Sequence, residues 1–116
     1  MRAICFSIIL ATCLVACSSH ALPSITNATQ LVTDSENLKT DGVAHQIPRD
    51  KWPLSILALN PISVSREDDG VHITTFAETG VGSRGYLVST TKPVNTDHFT
   101  FSETEYPNIY QFDFNP

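Results

Sequence analysis

The sequence predicts an α+β fold: a small antiparallel β-meander of four to five strands with one short helix packed on it, preceded by a flexible tether. Three observations lead there. Period-two alternation sets in after Pro61 and continues to the C-terminus. Just before it, Trp52, Ile56 and Leu59 fall at i, i+4 and i+7, the spacing of one helix face. Ser18 to about His45 is rich in Ser, Thr, Asn, Asp and Gly and keeps no sustained apolar period.

The elements follow in chain order. Pro53 suits the first turn of a helix, where its missing N–H has no partner to lose, so Leu54–Leu59 reads as a short helix. Asn60-Pro61 stops it. Trp52, the single tryptophan, is expected to anchor this helix on a sheet. Ile62–Arg66 is a β-prone run, and Glu67-Asp68-Asp69-Gly70 supplies a hairpin turn. Across Val71–Glu78, Val71, Ile73, Thr75 and Ala77 face one way and His72, Thr74, Phe76 and Glu78 the other. Thr79–Gly85 reads as a wide loop. Tyr86–Thr91, His98–Ser102 and Ile109–Phe114 are the remaining strands, broken by Lys92-Pro93 and Pro107-Asn108. The alternating Tyr110, Phe112 and Phe114 are expected to bury the inner face of the sheet.

The segment before this domain has another character. A polar chain with so few apolar residues buries too little surface to offset its ordering entropy. As a coil it would have an r.m.s. reach of about 25–35 Å. Within it, Leu31–Leu38 has the makings of a short helix or strand. Asn27-Ala28-Thr29 spells an N-glycosylation acceptor, read here as coincidence in a polar linker.

Met1–Ala21 has the order of a secretory signal: a basic Arg2, an apolar run from Ala3 to Ala16, then Ser18, Ser19 and His20. The run is shorter than the roughly 20 apolar residues that span a bilayer. At its end, Leu14-Val15-Ala16-Cys17 resembles the lipobox of bacterial lipoproteins: an aliphatic residue, a tolerant position, a small residue, then Cys. The resemblance covers about the first fifth of the chain. It implies cleavage before Cys17, a diacylglyceryl thioether on that cysteine and acylation of the new amino terminus. It also implies residence in the bacterial cell envelope. Ser18, a non-Asp residue after the lipid-bearing cysteine, is compatible with the outer membrane. The division that follows is 1–16 signal peptide, 17–46 lipidated terminus and flexible tether, and 47–116 the α+β domain. The competing reading is cleavage after Ser19-His20-Ala21, an A-x-A-like site.

Cysteine usage fits the lipobox reading. Cys5, Cys13 and Cys17 all lie in this first segment, so the mature domain would have no disulfide and must fold on its apolar core. Loss of Arg2 with the signal leaves six of the seven basic residues against twelve acidic ones, a net of −6. Such a chain lacks the basic face of a nucleic-acid binder, and attachment to anionic lipid would rest on acyl chains rather than charge.

Gly80-Val81-Gly82-Ser83-Arg84-Gly85 matches the dinucleotide pattern G-x-G-x-x-G, but the surroundings are wrong for it. That motif needs a helix after its last glycine, whereas Tyr86–Thr91 is β-branched and aromatic. A turn, without nucleotide, is the reading. His45, His72 and His98 have no metal-ligand spacing, though His72 and His98 could meet in space. Ser83 is not in a G-x-S-x-G context, and Glu103 and Glu105 read as a solvated acidic edge rather than an acid/base pair. Neither cofactor nor catalysis is expected.

One further resemblance rests on Trp52-Pro53, Ile56, Leu59, Pro61, Val64 and Asp69-Gly70-Val71-His72-Ile73. Together they look like a pattern in small uncharacterised bacterial envelope proteins, which implies a shared fold and transfers no activity. The functional expectation is therefore a lipid-anchored envelope protein with a non-catalytic binding role. The candidate interaction loop is Gly80, Gly82, Ser83, Arg84, Gly85 and Tyr86, beside an open sheet edge suited to strand addition. The alternatives are a secreted inhibitor of a wall-degrading hydrolase, a passive structural envelope protein, and a hydrolase using Glu103 or Glu105.

Overall fold

The computed structural model describes residues 21–38 and 45–116. Cys17 and the lipobox-like residues lie outside that range. The fold is α+β: two α-helices and a five-stranded antiparallel sheet among the described residues. The helices are α1 (Ala28–Glu36) and the single turn α2 (Leu54–Leu57), which follows a 3-10 turn at Arg49–Lys51. The strands are β1 (Ser63–Glu67), β2 (Gly70–Glu78), β3 (Gly82–Val88), β4 (Phe99–Glu103) and β5 (Ile109–Phe114).

Strand order is β1-β2-β3-β5-β4, so the chain is not a simple meander. It meanders through β3, then passes outward to form β4 at the edge and returns with β5 between β3 and β4. Cross-strand pairing fixes the faces. Val64, Val71, Ile73, Tyr86, Val88 and Ile109 share one side with Leu31, Trp52, Ile56 and Leu59 in a single apolar cluster. Trp52, Ile56 and Leu59 are all buried as expected, but they do not share a helix face. Only Ile56 lies in the helical turn; Trp52 is extended before it and Leu59 follows it, and Trp52 Nε1 donates to the Ile47 carbonyl at 2.9 Å. Asn60 ends the turn in the left-handed region, with φ of 51°, before the buried Pro61.

The second helix corrects the tether reading for the described part of residues 17–46. α1 lies inside that stretch and packs on β2, β3 and α2. Leu31 is 1% exposed, Ser35 is fully buried and Leu38 is nearly so. Asn27 is its N-cap, accepting from the Gln30 N–H at 3.0 Å. That role accounts for the asparagine of the Asn27-Ala28-Thr29 triplet. Asp34 Oδ2 accepts from the Ser55 hydroxyl at 2.7 Å, which ties α1 to α2. Arg66 reaches from β1 to donate to the Ser35 carbonyl at 3.0 Å. This last bond satisfies one of the orphan carbonyls at a helix C-terminus.

The alternation predicted for β2 holds as far as Thr74. Thr75 is then left unpaired between Thr74↔Gly85 and Phe76↔Arg84, a β-bulge. The extra residue shifts the later side chains across the sheet, so Phe76 falls on the face of Ile73 and Ala77 on that of His72. The aromatic ladder of β5 is also corrected. Phe112 and Phe114 pair with Phe101 and Phe99 of β4 on the face away from the helices, while Ile109 enters the helix-side core.

Both sheet edges are occupied. Beside β1, the Ile47 N–H donates to Val64 and the Arg66 N–H to His45, each at 2.8 Å. Along β4, the Phe99 N–H donates to Thr96 Oγ1 at 3.0 Å and the Phe101 N–H to Asn95 Oδ1 at 2.8 Å. Side chains of the preceding connection thus cap the donors that strand addition would need. The open edge expected from sequence is closed by its own loop.

Truncating Leu31→Ala should destabilise the domain by about 2–5 kcal/mol, the usual range for a fully buried leucine. The urea midpoint would fall with little change in slope. A flexible tether would give no shift at all.

Candidate functional site

The sheet carries a second apolar cluster on the face opposite the helices, in which Leu87 and Phe112 are buried. Its centre is Phe99, stacked on Phe101 at 5.7 Å with planes 6° apart and tilted against Phe114 at 4.8 Å. Phe112 meets Phe99 edge-on at 6.1 Å. These are favourable aromatic geometries, contributing about 0.5–1.5 kcal/mol per pair beyond burial. They follow from register, since Phe99↔Phe114 and Phe101↔Phe112 are direct cross-strand neighbours.

His72 extends the cluster across β3 to β2. Its ring lies 5.8 Å from Phe99 and 5.4 Å from Phe112. Its Nε2 is 2.9 Å from Asp69 Oδ1, the geometry of an N–H donated to a carboxylate. Gly85, between Thr74 and Phe112 in register, leaves the gap through which His72 and the phenylalanines approach each other. A Cβ at Gly85 would overlap the Ile73 carbonyl oxygen, so the bulge itself demands glycine. The result is an open depression of about 440 Å³. Phe99, Phe112 and Phe114 line its apolar side; Ser65, Thr74 and Ser83 offer hydroxyls; Glu67 and Asp69 make one end acidic. Such a surface can seat an apolar or planar group and hydrogen-bond its rim. Among the described residues, the hydrogen bond of His72 goes to Asp69 rather than to a hydroxyl.

The sequence-predicted loop residues go to separate places. The turn between β2 and β3 is only Thr79-Gly80-Val81, closed by Val81 N–H donating to the Glu78 carbonyl at 3.0 Å. Gly80 sits at its tip, with φ of 80°. Gly82 begins β3, where a Cβ would run into the Phe114 carbonyl. Ser83 lines the aromatic depression. Arg84 Nε pairs at 2.6 Å with Asp113 Oδ1 on the neighbouring strand, both side chains half exposed. Tyr86 is buried in the helix-side core. The expected wide loop is therefore a tight turn followed by strand, and β3 occupies the place where a dinucleotide motif has its helix.

The remaining candidates are dispersed. His98 packs near Phe114 at 6.1 Å with its Nδ1 2.9 Å from the Asn115 carbonyl, while His72 packs on Phe99 and Phe112, so the two histidines have different partners. No group of three or more His, Cys, Asp or Glu that could hold a metal lies among the described residues. Glu103 faces Lys92 at 3.5 Å in open solvent, and Glu105 is exposed in the following turn. Phe99, Phe101, His72 and Asp69 are the site residues that the sequence reading did not bring together. Their signal was the alternation Phe99-x-Phe101 opposite Phe112-x-Phe114.

On the other face, two tyrosines hold the start of the described chain. Tyr86 Oη donates to the Pro23 carbonyl at 2.6 Å and Tyr106 Oη to the Ile25 carbonyl at 3.4 Å. Leu22 and Ile25 pack against the core there. Burial raises the Tyr86 phenol above its ordinary value of 10.0, and the nearby Tyr106 adds to the shift.

No family model, curated protein or solved structure matches the chain.

The raised Tyr86 phenol has a consequence with a definite sign. The folded state holds the proton more tightly, so its stabilising effect is complete below pH 10.0, the ordinary value, and fades as pH climbs through the higher folded value. Stability measured by urea titration should therefore fall across the alkaline range above about pH 10. In Tyr86→Phe that fall should be shallower, at a cost of about 0.5–1.5 kcal/mol near neutrality for the lost hydrogen bond.

Proposed function

We propose that this is a lipid-anchored envelope protein, held through Cys17 in the outer membrane, whose domain binds another envelope component without catalysing a reaction. The aromatic face carries the binding half of this reading. Phe99, Phe101 and Phe114 remain only half-buried there, and a contiguous aromatic patch that keeps part of its surface in solvent marks an interaction surface. Phe99, Phe101, Phe112 and Phe114 with His72 form that patch, and the polar rim of Ser65, Thr74 and Ser83 gives a bound partner hydrogen-bonding groups.

The anchoring half rests on Leu14-Val15-Ala16-Cys17, where the apolar run ends. Binding is assigned to the aromatic face in preference to the Gly80–Tyr86 loop. A three-residue turn gives a hydrolase inhibitor little to insert, Arg84 is already paired with Asp113, and Tyr86 is buried.

Two measurements test the halves separately. Intact mass of the membrane-extracted protein should correspond to a chain starting at a lipid-bearing Cys17, and Cys17→Ala should abolish the modification. A photo-crosslinking residue at Phe101 should capture an envelope partner, while one at Ala58 on the helix layer should not. Capture from Ala58 alone would remove the aromatic face from the reading.

A further inference from the structure

The structure brings the start of the described chain onto the folded body. Leu22 and Ile25 pack on the core, the carbonyls of Pro23 and Ile25 accept from Tyr86 and Tyr106, and α1 begins at Ala28. From Leu22 to Leu38 the chain belongs to the domain. Only five peptide steps separate Cys17 from Leu22. Fully extended, they span roughly 17 Å. A domain of this length is about 30 Å across. A leash that short cannot lift the domain clear of a bilayer or let it turn over.

We propose that the lipidated domain rests directly on the lipid surface through one patch. The patch lies around Ser24, Thr104 and Glu105, where the strap meets the β4–β5 turn, and the aromatic face points away from the bilayer. This rests on lipidation of Cys17. Ser24, Ile25, Tyr86, Thr104, Glu105 and Tyr106 line one shallow depression at that point, so the strap and the turn form a continuous surface. Tyr86 belongs to the helix face of the sheet, whereas Phe99 and Phe112 stand on the opposite face. The sheet therefore separates the anchoring point from the aromatic depression. Charge does not set this orientation: Glu105 lies in the patch and the chain is acidic overall. Covalent reach and the two tyrosine bonds set it, so it should survive high salt, which screens surface charge.

The test uses the full lipidated protein in vesicles of phosphatidylethanolamine and phosphatidylglycerol that carry a quencher at headgroup depth. With Cys5 and Cys13 removed in the signal and Cys17 bearing lipid, an introduced cysteine is the single free thiol. Fluorophores placed through Ser24→Cys and Glu105→Cys should be quenched several-fold more strongly than one placed through Ala77→Cys, which is exposed on the aromatic face. A long flexible Gly-Ser insert after Ser19 should erase that difference, and raised salt should leave it intact. Equal quenching at the three positions of a lipidated protein, or stronger quenching at position 77, overturns the orientation and leaves the anchor standing. An intact mass showing a chain that starts unmodified at Leu22 overturns the anchor, and this proposal with it.

Discussion

Burial of the row Val64–Ile73–Tyr86 is the constraint on which the other elements depend. These three residues are cross-strand neighbours at the centre of β1, β2 and β3, and Val64 and Ile73 have no exposure. Fully burying each such side chain stabilises the fold by about 1.5–3 kcal/mol. The described residues hold no cysteine, so this apolar cluster does the work that a small secreted domain often delegates to disulfides. One layer has to close over it, and α2 with its four residues is too short to do so alone. Recruitment of α1 follows. Leu31 and Leu38 complete the cover, and Ser55 with Asp34 fixes one helix beside the other.

That layer reaches only part of the sheet. α1 contacts β2 and β3, whereas the helix-side positions of β5 and β4 beyond Ile109 are Gln111, Asp113, Thr100 and Ser102. Apolar character therefore changes sides across the sheet: towards the helices at β1–β3, away from them at β4–β5. Sheet and helices thus make two apolar clusters on opposite faces; the helices cover the first, while Leu87 and Phe112 are buried in the second without a helix layer. The phenylalanines of the second shield one another by stacking, with Phe112 buried and Phe99, Phe101 and Phe114 half-buried. Both edges of the sheet are closed. Asn95 and Thr96 occupy the donors along β4, and residues 45–47 line β1.

Much of this was legible in the sequence, and the failures have physical causes. Trp52, Ile56 and Leu59 were readable as one buried set because all three are large and apolar, although the helix stops at a single turn that holds only Ile56. Gly70 and Asp69 located the first hairpin for the chemical reason that such turns need those residues. α1 was legible only in part, as the stretch Leu31–Leu38 with the makings of a helix or strand, because its buried stripe includes Ser35 and its Thr and Asp lower its apparent helicity. Its stability comes from tertiary packing and from the Asn27 cap, neither of which periodicity measures. The alternation of Tyr110, Phe112 and Phe114 correctly predicted a strand, but alternation cannot say which face is roofed. That depended on β5 inserting between β3 and β4, a pairing between residues far apart in sequence. The Thr75 bulge was invisible for the same reason, because it is defined by Gly85 on the partner strand.

The strap at Leu22–Ile25 docks on the helix side of the sheet. Its tyrosine contacts, Tyr86 to Pro23 and Tyr106 to Ile25, join residues 63 and 81 positions apart, so no local pattern announces them. Each hydroxyl satisfies a backbone carbonyl that packing against the core would otherwise leave partly stripped of water, and an unpaired buried carbonyl is costly. The strap can lie down only where the helix layer stops and Tyr86 is reachable from the side, which is the polar half of the helix face near Gln111. The short α1–α2 layer leaves the helix side of β4 and β5 uncovered and polar, at Gln111, Asp113, Thr100 and Ser102, and so clears the ground on which the N-terminal segment docks.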